Sequence, residues 1–151
     1  MRDIVTKETG TFFGGLTALP VVKTTQTSAW IDLANYNGAT VYILTNTWTD
    51  GTMTPSIHES DDASTDLGAA PVANLVLWTA TSASVYTPVR VGNSQPLAIS
   101  SAATAINQRV GYIGGHRYIN VVSTISGSPS TGMGYDVIIQ AGEARNQPPA
   151  V

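Results

Sequence analysis

The chain has 151 residues, seven Lys or Arg against ten Asp or Glu, and no cysteine. That length suits one domain with its own core, and the missing thiols exclude a disulfide framework, a thiolate nucleophile and a cysteine-held zinc or iron–sulfur site. Charged residues are 11% of the sequence, against about 25% in ordinary soluble domains, and the basic ones are scattered around a formal charge of −3, which disfavours nucleic-acid binding.

So few charges imply that much of the Thr-, Ser-, Asn- and Ala-rich surface is covered in an assembly; the plainer alternative is an uncharged, Thr-rich sandwich. Met1 to Gly15 carries Asp3 and Glu8 and no apolar run of signal-peptide length, so no secretory signal is expected there; the arm is taken as residues 1–25. The same segment interleaves Gly10, Gly14, Gly15 and Pro20 with Phe12, Phe13, Leu16, Leu19, Val21 and Val22. Each of those apolar side chains gains roughly 1.5–3 kcal/mol if fully buried. Ordering the backbone costs about 1–2 kcal/mol per residue, so the two totals are comparable. We therefore expect an N-terminal arm that orders only against a neighbouring subunit, with those six apolar residues as its interface. The alternative is a first strand tucked into the chain's own fold.

Eight strands are predicted next, at 28–33, 39–47, 52–60, 72–79, 84–91, 106–113, 117–125 and 133–141, because apolar and β-branched runs there alternate with turn signals. Asn37-Gly38 and Asp50-Gly51 are read as tight turns, since Gly supplies the positive φ that such turns require. In the second run Ala39, Val41 and Ile43 share one face and Thr40, Tyr42 and Leu44 the other. That strand is expected to lie centrally or to have its outer face covered. Met133, Tyr135, Val137, Ile139 and Ala141 line one face of the last run with the period of two that marks a strand. No window shows a helical stripe, and the apolar stretch 72–80 is shorter than the ~20 residues that span a bilayer.

The predicted fold is thus all-β, an antiparallel two-sheet sandwich or jelly roll over 26–145, between the arm at 1–25 and an extended tail at 146–151. Val41, Ile43, Ile57, Tyr112, Ile119, Val121, Tyr135, Val137 and Ile139 are its expected core.

Candidates for chemistry are few. His58 falls on a strand side with Thr54, Ser56 and Ser60, expected to face solvent, and His116 follows Gly114-Gly115 in a turn. No Gly-x-Ser-x-Gly elbow occurs, so a hydrolase triad would need unsignalled positions. The acidic stretch 59–66 could suggest calcium, yet it lacks the EF-hand order and the nonapeptide repeat. Asp and Ser there serve equally to hydrogen-bond a loop's own backbone. Glu59 falls on the inward face with Met53, Pro55 and Ile57, where a carboxylate must accept several hydrogen bonds, so a structural loop is expected from Asp50, Gly51, Glu59, Asp61 and Asp62. Trp30, Trp48 and Trp78 could stack on sugar rings, but without an aromatic stripe they read as core or interface anchors. We expect no enzyme, no catalytic residues, no cofactor and no bound metal.

Four segments in order carry a resemblance: Ile31-Asp32-Leu33; Tyr36-Asn-Gly-Ala-Thr-Val41; Thr49-Asp-Gly-Thr-Met-Thr-Pro-Ser-Ile-His-Glu-Ser-Asp-Asp62; and Arg109-Val-Gly-Tyr-Ile-Gly-Gly-His-Arg-Tyr-Ile119. Over roughly 28–142 the sequence resembles the capsid decoration, or cement, proteins of tailed bacteriophages. The resemblance implies a homotrimer bound to the major capsid protein on the outer surface of the virion, made in the host cytoplasm, with no nucleic-acid or membrane partner. It implies no more than turn-forming roles for the motif residues. A tail, neck or head-fibre component and a carbohydrate-binding β-sandwich module are the other readings.

Overall fold

A computed structural model of the chain describes residues 21–82 and 85–144. Ten strands run β1 (Val21–Val22), β2 (Gln26–Thr27), β3 (Ile31–Asp32), β4 (Tyr36–Trp48), β5 (Thr52–Ser60), β6 (Leu75–Ser82), β7 (Val85–Gly92), β8 (Gln108–Tyr112), β9 (Tyr118–Ser126) and β10 (Met133–Ala144). The one helical piece among the described residues is a 3-10 turn at Val72–Asn74. All pairings are antiparallel: one sheet orders β1-β10-β4-β8-β6-β7, and in the other β9 pairs β5 on one edge and β2 and β3 on the other.

The two sheets share one core. Val41 and Ile43 of β4, Leu75 and Leu77 of β6 and Val110 of β8 pack with Met53 and Ile57 of β5 and Ile119 and Val121 of β9. Each large aliphatic in this set contributes roughly 1.5–3 kcal/mol by burial. All nine expected core residues belong here: seven are buried, while Val137 and Ile139 are half-buried against the cluster. β4 lies between β10 and β8, as its two apolar faces suggest. Residues 93–107 close one side of the sandwich with side chains acting as strand partners. Gln108, fully buried on β8, accepts the Leu97 amide at 2.7 Å and donates to the Leu97 carbonyl at 2.9 Å. Gln95 does the same for Ile57 and also donates to Ala70.

Several predicted boundaries move, each for a local reason. Asn37 and Gly38 lie inside β4, and the turn forms earlier, where the Tyr36 amide donates to the Leu33 carbonyl and Asp32 Oδ1 accepts the Ala34 amide at 2.8 Å. Asp32 supplies the turn-forming acceptor before Asn37 can. Gly38 has another use: a Cβ there would collide with the Tyr112 carbonyl oxygen on β8. Of the strand expected at 28–33 only β3 forms; β2 lies just before it, and between the two the Ser28 hydroxyl, rather than a backbone carbonyl, accepts the Val121 amide at 3.0 Å. Residues 72–74 turn instead of extending, with the Asn74 amide bonded to the Pro71 carbonyl, after a proline whose φ is held near the helical range.

At the end of the predicted arm, Val21 and Val22 pair with Gly134 and Met133, Val21 exposed and Val22 packed against the core. Phe12, Phe13, Leu16 and Leu19, like the tail at 146–151, lie outside the described residues.

Candidate functional site

Three connections between the sheets cross at one end of the sandwich: residues 33–35, 61–74 and 113–117. Strand register brings their flanks together, since Asp32 and Ser60 both oppose Tyr118 while Ala39 and Leu75 both oppose Tyr112. Part of each of the four segments that carry the resemblance meets here, the third through its last residues, 59–62.

At the centre is Glu59, the penultimate residue of β5, only 5% exposed. Its Oε1 accepts the Tyr112 hydroxyl at 2.8 Å and the Asn74 side-chain Nδ2–H at 3.5 Å, and its Oε2 lies 3.7 Å from His116 Nε2. His116 Nδ1 lies 2.8 Å from Asp61 Oδ1, so both ring nitrogens face carboxylates. The imidazole is consequently held above its ordinary pKa, chiefly by the Asp61 hydrogen bond, with Glu59's charge adding and burial opposing. Burial, followed by the Glu59 contact, raises the Tyr112 phenol well above its usual range. Gly114 leaves room for this arrangement: a Cβ there would strike the Tyr112 hydroxyl and come within 2.6 Å of Glu59 Oε1.

Around that centre the acidic loop is tied down. Asp62 accepts the Ser64 and Thr65 amides at 2.9 and 2.7 Å and the Thr65 hydroxyl at 2.9 Å, and these bonds hold its carboxyl far below the usual range. His58 Nδ1 approaches both Asp66 oxygens, at 2.8 and 2.9 Å. Burial works against ionisation of Asp66, but the Gly68 amide and His58 outweigh it and lower its pKa. Ser60, expected in a solvent-facing row, is fully buried, and its hydroxyl bonds to Asp62. Thr54 of the same row is exposed, as expected, and Ser56 and His58 are half-buried, so only at Ser60 does the row's polarity turn fully to the loop. Arg117 forms a two-pronged pair with Asp32, at 3.0 and 2.7 Å, and its guanidinium lies 5.0 Å over the Tyr118 ring. The Arg117 hydrogen bond is the main reason the Asp32 carboxyl falls to about 2.

Asp50 and Gly51 lie at the opposite end. Gly51 takes φ +83°, and the Asp50 carboxylate accepts the amides of Ser130, Thr131 and Gly132 and the Ser130 hydroxyl. These bonds, Gly132 foremost, pull its pKa far down. The tryptophans are dispersed: Trp30 is half-buried, Trp48 donates to the Gly51 carbonyl at 3.0 Å, and Trp78 lies 5.2 Å beneath Arg109. Among the described residues no three His, Asp or Glu side chains are placed to share a metal ion.

The polar side chains that single-strand periodicity missed are Gln95, Gln108 and Asn74, whose partners lie on other elements. Asp32 and Arg117 both stand in the quoted segments, but nothing in either segment signals their 85-residue pairing. No family model, curated protein or solved structure matches the chain.

Proposed function

We propose that this protein is a structural component of a virion, decorating the outer surface of a tailed-phage capsid and stabilising it by bridging capsid subunits. The observation that carries this reading is the convergence just described. Asp32 bonds Arg117, Gly38 abuts Tyr112, and Glu59 and Asp61 engage Tyr112 and His116, so part of each of the four resembling segments meets in one spatial unit, while the Asp50-Gly51 turn of the third lies at the other end. A resemblance spread over separate strings thereby acquires a common physical role, the framework of one end of the sandwich.

The remaining features fit that reading. A two-sheet body with side chains cross-linking its connections is stiff, and a bridge between capsomers under internal pressure works by stiffness. The low charge suits a surface covered by neighbours. In this reading the partners are the major capsid protein and further copies of the chain, as a trimer, and the chain performs no catalysis.

The test is a cryo-electron microscopy map of particles that contain this chain. Density on the outer shell at threefold or quasi-threefold positions is the expected result. Density in the tail, neck or a fibre would replace decoration by another structural role, and absence of the chain from purified particles would overturn both.

A further inference from the structure

The chain has two histidines, and both hold the same loop. His58, on β5, grips Asp66 through Nδ1, and His116, in the connection between β8 and β9, grips Asp61. The loop at 61–66 is therefore clasped at both ends from different elements. Between the clasps Asp62 organises the loop internally by accepting the Ser64 and Thr65 amides. Such a loop can move as one piece.

The two clasps differ in geometry. His58 meets a single carboxylate through one ring nitrogen. His116 has a carboxylate before each nitrogen, Asp61 at 2.8 Å and Glu59 at 3.7 Å. A neutral imidazole has one N–H and one lone pair. If Nδ1–H serves Asp61, the Nε2 lone pair faces the buried Glu59 carboxylate. With Glu59 as a carboxylate, only the imidazolium satisfies both contacts.

We propose that residues 61–66 form a proton-controlled latch, closed on the end of the sandwich by protonated His116 and loosened when His116 becomes neutral. The neighbouring ionisable groups are accounted for. Tyr112 on β8 donates to Glu59, and Arg117 beside His116 is engaged by Asp32 of β3. Asp66 is held by His58 and the Gly68 amide, and Asp62 by Ser64 and Thr65 of its own loop and by the Ser60 hydroxyl of β5. The positive charge that faces Glu59 and Asp61 is that of His116. The sign follows from the raised pKa of His116: its contribution to closure is complete at acidic pH and is lost as pH rises through the folded-state value. The latch requires no phage and stands apart from the decoration reading.

Amide hydrogen exchange on the isolated full chain tests it, read at Leu67 and Glu59, whose N–H groups bond across the base of the loop. After correction for intrinsic exchange, protection there should fall about threefold or more between about pH 5 and pH 8, while Val41 and Ile43 in the core stay protected. His116→Gln should flatten the profile, and Asp61→Asn, which keeps the ring, should lower the His116 titration midpoint seen by NMR. Constant protection in the wild-type chain, or an unchanged pH profile in H116Q, would overturn the latch.

Discussion

The Tyr112 hydroxyl and Glu59 Oε1, 53 positions apart in sequence, meet at 2.8 Å in a buried bond that joins the two sheets, one group on β8 and the other near the end of β5. Phe at position 112 would keep the ring packing and delete only the donor, leaving a buried carboxylate one partner short. Tyr112→Phe is expected to cost about 1–3 kcal/mol, measured by equilibrium urea unfolding. Wild-type stability in that variant would mean that the bond adds nothing to the joint.

Two adjacent glycines give an internal comparison. A Cβ at Gly114 runs into the Tyr112 hydroxyl and Glu59, whereas one at Gly115 meets nothing within 4 Å. Gly114→Ala should destabilise by about 1–3 kcal/mol through overpacking, and Gly115→Ala should leave thermal stability nearly unchanged. Equal effects would point to a general loss of loop freedom rather than a collision.

Apolar and β-branched runs between turn signals locate eight of the ten described strands, and alternation within the best of them gives the inward residues from Val41 to Ile139, because a half-buried strand writes its environment into successive side chains. Alternation is silent where partners come from elsewhere. β1 and β2, two residues each, are too short to show a period and exist by pairing with β10 and β9. Asn37-Gly38 looked like a turn because close approach to a neighbouring carbonyl and a positive φ both select glycine. At the site, Glu59's inward position followed from its parity with Ile57. Its ties to Tyr112 and His116 could not, since nothing local to position 59 records which residues arrive 53 and 57 positions later.

Asp50 fastens the β4–β5 connection to the β9–β10 connection, accepting three successive amides. Its folded-state pKa is depressed, so its contribution is present above the ordinary carboxylate value and is lost as pH falls through the folded one. Asp50→Asn should therefore lower Tm by several degrees at neutral pH, and the gap from wild type should narrow on acidification below about pH 4. A gap independent of pH would show that the substitution acts by shape and not by charge.

The last prediction concerns alkaline pH. Tyr135 is buried, its hydroxyl paired with Ser123, and its pKa is pushed up to about 12, mainly by burial. An exposed phenol in the unfolded chain ionises near pH 10. Because the folded value is the higher one, the contribution of neutral Tyr135 is complete below about pH 10 and declines as pH rises toward 12. Within that window the decline is about 1.4 kcal/mol per pH unit for one proton. Tyr135→Phe removes this titration and also the Ser123 bond, a loss of about 1 kcal/mol at neutral pH. The variant should thus be the less stable protein near neutrality yet lose stability less steeply above pH 10, so the two curves should meet near pH 11. Tyr112, whose pKa is raised in the same direction, adds to the slope of both proteins and leaves their difference unaffected. Urea unfolding of both proteins across this range measures that difference directly. Parallel curves would mean that the Tyr135 hydroxyl ionises equally in the folded and unfolded states, against its burial between the sheets.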